Sequence, residues 1–446
     1  MRTLVFFYLT VALCFAGMHA RASEAKHYQQ QTLSSVADKL IKQFYDKAIG
    51  EKTAQQISEV EFQKGFLHLQ NKQAFAEAVS KALREISSDN HIGIVYSPED
   101  VHRYRLREKA ATSLQANAKN QQHYQRRLAQ SQAANFGIQQ LSILEGNVGY
   151  IDISYFDGFV DESKPVWQAA MSFLDSAQVI ILDLRRNGGG NSRILPLFLG
   201  YFLGPDPVHF ANKVERWKNL ETKIYTDASV QGSRHTTKPL YILTSGTTFS
   251  LAEHVTYHLK AFGRATVVGE RTYGGGKAFD PVVLNSDFYL RLPRIEMTNV
   301  VTRTMYEEGV GITPDIPTTA SSAFDVAYLA ALELLQTKSI EPELKQYYQW
   351  VHRVVAAKVK QDELKFDLPN LTGQHDFGEF RLEVRQNELW MSFRNLPWVK
   401  LTNLGEGYFY DERSIQRQFQ VQEHDGRLEL HVFRLWHPAR VLNENK

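Results

Sequence analysis

Ser250 stands where an apolar run, Tyr241-Ile242-Leu243-Thr244, crosses a polar turn and enters the amphipathic run Leu251 to Phe262. A hydroxyl there sits at the start of an expected helix, where unpaired backbone N–H groups favour developing negative charge and could stabilise an alkoxide or oxyanion. That is a nucleophile's address, and also that of an ordinary helix N-cap. A second segment, Asp183-Leu184-Arg185-Arg186-Asn187-Gly188-Gly189-Gly190-Asn191, follows a buried strand pattern. Consecutive glycines let backbone N–H groups approach a ligand closely, as an oxyanion hole requires, although a plain turn uses the same residues. No Lys-Ser/Thr follows them, which disfavours a phosphate loop. A third segment, Gly269 to Lys277, is another glycine loop that could line a substrate groove. A fourth, Tyr306 to Ile316, sets Glu307 and Glu308 beside a tight turn, where an ionised carboxylate could orient a base. Taken singly, these last two also read as ordinary turns.

The elements that must position these residues form a pattern of short β runs separated by helices. Val148 to Ile153, Val179 to Leu184, Leu240 to Thr244 and Thr266 to Val268 read as strands. Pro165 to Leu174, Ile194 to Leu203 and Leu251 to Phe262 read as helices between them, as in a layered α/β core. Asp287 to Leu292 adds a strand, and Ser322 to Leu335 closes the region with a helix. Upstream, Leu40, Ile41, Phe44, Tyr45 and then Phe75, Val79, Leu83 recur at helical spacing. Downstream, Phe380 to Val384, Leu389 to Phe393 and Leu428 to Phe433 alternate as in an antiparallel sheet. The expected organisation is a signal peptide at 1–22, an N-terminal helical domain at 23–102 and a Gln/Arg-rich helical linker at 103–143. A core at 144–336 and a C-terminal helix plus small antiparallel β domain at 337–446 complete it. The interval from His91 to Leu144 is too short for an inserted peptide-binding module of ordinary size.

Met1-Arg2, the apolar stretch Thr3 to Gly17 and Ala20-Arg21-Ala22 form the three parts of an export signal, with cleavage expected after Ala22. The apolar run is short for a membrane span, so no stable insertion is expected after cleavage, and the chain is expected to be periplasmic or secreted. The single cysteine, Cys14, lies inside that signal. The mature chain would then lack disulfides, zinc-thiolate sites and cysteine nucleophiles. Basic and acidic residues number 51 and 49, and removing Arg2 and Arg21 balances them, so nothing suggests nucleic acid.

Taken in order, the four segments resemble the superfamily of C-terminal processing (tail-specific) proteases, the tricorn protease core and the interphotoreceptor retinoid-binding protein modules. The carrying residues are Asp183 to Gly190, Thr247 to Glu253, Gly269 to Gly276 and Glu308 to Asp315, within about residues 145 to 335. The resemblance implies a crotonase-like ββα-spiral core, with Ser250 as nucleophile and the Gly189 and Leu251 amides as oxyanion hole. Gly188, Gly190, Gly274 and Gly275 become substrate-groove candidates. The processing branch places a general-base lysine at a position that here is Gly275, and Lys277 lies two residues further on. The tricorn and retinoid-binding side uses an N-terminal-domain histidine and a glutamate from the G-V-x-P-D turn. This chain offers His91, within Ser88-Asp89-Asn90-His91-Ile92-Gly93-Ile94, and Glu308. An imidazole can take the serine proton near neutral pH while a carboxylate fixes its tautomer. Where the tricorn pattern has a serine before its histidine, this chain has Asn90. His91 could instead be an interdomain structural histidine, and Glu308 a surface charge with Glu307 in its role. His254, one helical turn after Ser250, ranks behind His91, and Arg185 and Asn187 are expected to brace the glycine loop.

The leading expectation is an exported serine hydrolase, a peptidase acting on peptide or protein substrates through a Ser250 acyl-enzyme, with His91 as base and Glu308 orienting it. That chemistry needs no metal or organic cofactor. The alternative is a non-catalytic binder of hydrophobic ligands on the retinoid-binding-protein-like scaffold. Acyl-CoA chemistry on the related crotonase scaffold is disfavoured by export. Oligomeric state is left open, and Trp390, Phe393, Trp398, Tyr408, Tyr410, Phe433 and Trp436 are expected mostly to pack the C-terminal domain.

Overall fold

The computed structural model describes residues 2–110, 117–275, 279–306, 309–360 and 371–445, and side chains from residue 23 onward except at 107–110, 117–120, 279–280 and 414–416. The chain begins with α1 (Arg2–Gln43), α2 (Lys47–Ser58), α3 (Val60–Lys64) and α4 (Lys72–Ser87). Asp46 caps α2 by accepting the Ile49 N–H at 2.9 Å, and Asn71 caps α4 by accepting the Ala74 N–H at 3.0 Å. Their apolar stripes bury Leu40, Phe44, Phe75, Val79 and Leu83. β1 (Gly93–Tyr96) follows, then two largely polar helices, α5 (Pro98–Ala110) and α6 (Asn117–Ala133). Among the described residues no helix is long and apolar enough to cross a membrane.

The centre of the molecule is built by β2 (Ile138–Leu144), β3 (Val148–Ile153), α7 (Val160–Phe173), β4 (Val179–Asp183) and α8 (Leu195–Gly200). The chain continues through β5 (His209–Glu215), β6 (Leu220–Tyr225), β7 (Leu240–Thr244), α9 (Leu251–Ala261) and β8 (Thr266–Gly269). After these come β9 (Phe279–Val283), β10 (Phe288–Pro293), β11 (Glu296–Asn299), β12 (Ile316–Pro317), α10 (Ala323–Lys338) and α11 (Pro342–Val359). The main sheet runs β12-β8-β7-β4-β3-β2, parallel except for β2. Every residue of β3, β4 and β7 is buried. Helices on both faces cause this: Trp167, Phe198 and Leu259 of α7 to α9 cover one side, and Ala327, Leu332 and Val351 of α10 and α11 cover the other.

Two smaller sheets change the organisation read from sequence. β5 and β6 pair with β11 as β11-β5-β6, a sheet that apolar periodicity did not announce, since β6 is mostly exposed. The hairpin β9–β10 leaves the core segment and pairs with β1, Gly93 opposite Arg291 and Tyr96 opposite Phe288. Phe288, Leu290 and Leu292 thereby complete the apolar centre of the N-terminal helices. The last strands form two antiparallel sheets, one of four strands within 374–400 and one of five within 402–443, which share a core around Phe380, Leu382, Phe409, Phe419 and Leu430. Trp436 stands outside it, 58% exposed.

Candidate active site

β7 ends in a turn stitched to the end of β4. Thr248 Oγ1 donates to the Leu184 carbonyl at 2.9 Å and accepts the Ser245 N–H at 3.0 Å. The Ser245 and Thr247 hydroxyls both donate to the Arg185 carbonyl, and the Phe249 N–H donates to the Asn187 carbonyl at 3.1 Å. The chain then reverses through Ser250 at φ 55°, ψ −119°, and α9 begins. A non-glycine residue there is held against steric preference by its surroundings, a condition that clusters at functional sites. Ser250 is half-buried, at the head of a helix whose first amide, Leu251 N–H, meets no protein acceptor among the described residues.

The glycine loop lies directly on this turn. A Cβ added to Gly189, whose φ is 103°, would fall 2.8 Å from Ser250 Cβ and 3.0 Å from Leu251 N, so nothing larger than hydrogen fits. Asn187 is fully buried and braces the loop, as expected: Nδ2 donates to the Ile153 carbonyl at 2.9 Å, and Oδ1 accepts the Gly189 N–H at 2.8 Å. The Gly189 amide is therefore engaged. Gly190 packs on the backbone of Phe156, and at Gly188 an added Cβ would meet open space. Arg185 braces from outside, its guanidinium paired with Asp183 at 2.6 Å and donating to the Ala320 carbonyl at 2.7 Å.

Glu253 joins the serine turn to the other loops. Its Oε2 accepts the Ser250 N–H at 2.9 Å and the Gly275 N–H at 2.8 Å, and Oε1 accepts the Gly274 N–H at 2.7 Å and the Thr272 hydroxyl at 2.6 Å. Burial pushes its carboxyl above the usual carboxylate range, against the pull of those donors. Gly274 in turn accepts the Gly309 N–H at 2.7 Å, which docks the fourth segment on the third. Sequence reasoning quoted Glu253 without giving it a role. Its signal was the Ser-x-x-Glu spacing of a capping box.

His91 is buried, 4% exposed, and its ring stacks on Phe249 at 5.0 Å and 19°. The structure so places the N-terminal histidine against the residue adjoining Ser250. Fully buried Asp89 accepts the His91 N–H at 2.8 Å and stands 3.8 Å from Nδ1. Phe249 also fills the space at Gly275, where a Cβ would fall 1.8 Å from its ring, so position 275 has no room for a lysine side chain. Glu308, Glu307 and Lys277 lie outside the described residues. His254 is 6.2 Å ring to ring from His258 and 6.0 Å from Tyr306, and it lines a cavity of about 990 Å³ beside these loops. Among the described residues no group of three or more His, Cys, Asp or Glu could hold a metal ion.

Residues 147–318 match the model of Peptidase family S41. A lipoprotein from Streptococcus agalactiae is similar at 16% identity and TM-score 0.44, over 69% of this chain and 96% of that one. The photosystem II D1 C-terminal processing protease is similar at 14% identity and TM-score 0.44, over 66% and 93%. The tricorn protease is similar at 12% identity and TM-score 0.37, over 75% and 37%.

Proposed function

We propose, from the premise that this chain is a serine-type peptidase with an S41 segment at 147–318, that Ser250 is its nucleophile and His91 its general base. Ser250 Oγ attacks the scissile carbonyl while its proton passes to the His91 imidazole. The imidazolium then protonates the leaving amine, and water, activated by the same base, releases the acyl group. Glu308 fixes the imidazole tautomer. The Leu251 N–H meets the developing oxyanion, and the Gly189 N–H joins it while shared with Asn187 Oδ1. The core is read as a crotonase-like ββα spiral, and the chain as exported to a periplasmic or secreted location, where it cleaves peptides or proteins.

One observation carries this reading: Ser250 is held at φ 55° at the head of α9 with Gly189 packed to within contact of it. An N-cap with no further role requires neither. The test is labelling of the full mature chain by a fluorophosphonate, read by intact mass, beside Ser250→Ala and His91→Ala. One adduct on the wild type and none on either variant is expected. A folded wild type that takes no adduct would overturn the reading.

A further inference from the structure

Asp89 and His91 sit on a short span pinned at both ends. α4 stops where Ser88 turns left-handed, at φ 53° and ψ 35°, and the Ser87 hydroxyl donates to the Leu83 carbonyl at 2.7 Å. Beyond His91, β1 begins at Gly93, and the Ser80 hydroxyl of α4 donates to the Ile94 carbonyl at 2.9 Å, tying strand to helix. A Cβ added at Gly93 would fall 2.9 Å from that hydroxyl, so strand and helix pack closely there. Between these ties Asp89 Oδ1 accepts the His91 N–H at 2.8 Å, closing an Asx turn, and stands 3.8 Å from His91 Nδ1.

Asp89 is fully buried and His91 is 4% exposed. Asparagine closes an Asx turn equally well and brings no charge, whereas withdrawing a carboxylate from water is costly unless donors or an opposite charge answer it. In the Ser250 reading, that opposite charge appears on His91 during the reaction. An imidazolium formed this close to a carboxylate, where water is excluded, is attracted far more strongly than it would be in solvent. The 3.8 Å separation is longer than a hydrogen bond, as catalytic pairs often are before substrate binds.

We propose that Asp89 is the positioning residue of the base: its carboxylate fixes the His91 backbone through the turn and stabilises the positive charge that the imidazole takes up with the Ser250 proton. The inference rests on the Ser250 and His91 reading above and gives a role to a carboxylate two residues from the base. Glu308 comes, in that reading, from a distant segment, while Asp89 is carried on the base's own turn.

The test uses the full mature chain with Asp89→Asn and, as a second variant, Asp89→Ser. Both keep an oxygen for the His91 N–H and remove the charge. Fluorophosphonate labelling is followed by intact mass over a series of reagent concentrations, and urea titration reports the fold. Each folded variant is expected to lose about a hundredfold in maximal labelling rate, within the range a general base supplies, with the half-saturating reagent concentration unchanged. A residue that only closes the turn would leave that maximal rate near wild type. A folded variant labelled at the wild-type rate, or one whose loss lies wholly in the half-saturating concentration, overturns the inference alone. Folded wild type that takes no adduct, or His91→Ala labelled as fast as wild type, overturns the serine and histidine reading and the inference with it.

Discussion

Ser250 and Glu253 divide the work of the serine turn between strain and restraint. The left-handed backbone at Ser250 is one that glycine adopts freely. Ser250→Gly is therefore expected to raise the urea midpoint, by about 1 kcal/mol of stability, while abolishing labelling. Glu253 receives four donors, so Glu253→Gln turns an N–H toward at least one of them. The expected cost is about 2 kcal/mol of stability, with a labelling rate at least about tenfold lower. Denaturant titration and labelling kinetics on the same samples check both. Ser250 was legible because a strand, a polar turn and an amphipathic run meet there. Phe249 was not, since its position between His91 and Gly275 depends on two loops far apart in the chain.

At the scale of elements, α9 carries the serine at one end and a buried imidazole at the other. His258 is fully buried, accepts a hydrogen bond from Asn299 Nδ2 at Nδ1, 2.8 Å away, and meets Phe210 edge-on at 5.0 Å. Burial, helped by nearby His254, lowers its pKa to about 3. The unfolded chain binds this proton near pH 6.5 and the folded chain only near pH 3. The contribution is thus complete above about pH 6.5 and is lost as pH falls between the two values. About 2 kcal/mol is expected to be gone by pH 5. His258→Gln should flatten the dependence of the urea midpoint between pH 8 and pH 5. Part of the slope remains, because burial also lowers His235. The central strands were readable because β3, β4 and β7 are apolar throughout, as strands covered on both faces must be. β6 was not, because Leu220, Lys223 and Tyr225 face outward and its pairing to β5 leaves no apolar alternation.

Over the whole molecule, the N-terminal helices are held to the core by a few specific ties. Arg216, just beyond β5, donates to the Phe44 carbonyl at 2.8 Å and the Ile41 carbonyl at 3.1 Å, capping the end of α1 from the other side. Arg216→Ala is expected to raise amide hydrogen exchange near residues 41–45 and to slow labelling of Ser250, with the central sheet unchanged. Unaltered exchange there would show that the tie is dispensable. The helical character of 24–86 was plain from periodicity, but its strand partner was not. Local sequence does not encode that Tyr96 pairs with Phe288.

That pairing also orders events during synthesis. The first helices cannot close their apolar centre until Phe288, Leu290 and Leu292 have left the ribosome, by which time the serine turn has already been made. The segment bearing His91 is among the earliest translated, yet the β1 strand just after it waits for β10, so a nascent chain carries Ser250 before His91 has a settled place. Contacts of such long sequence separation form slowly.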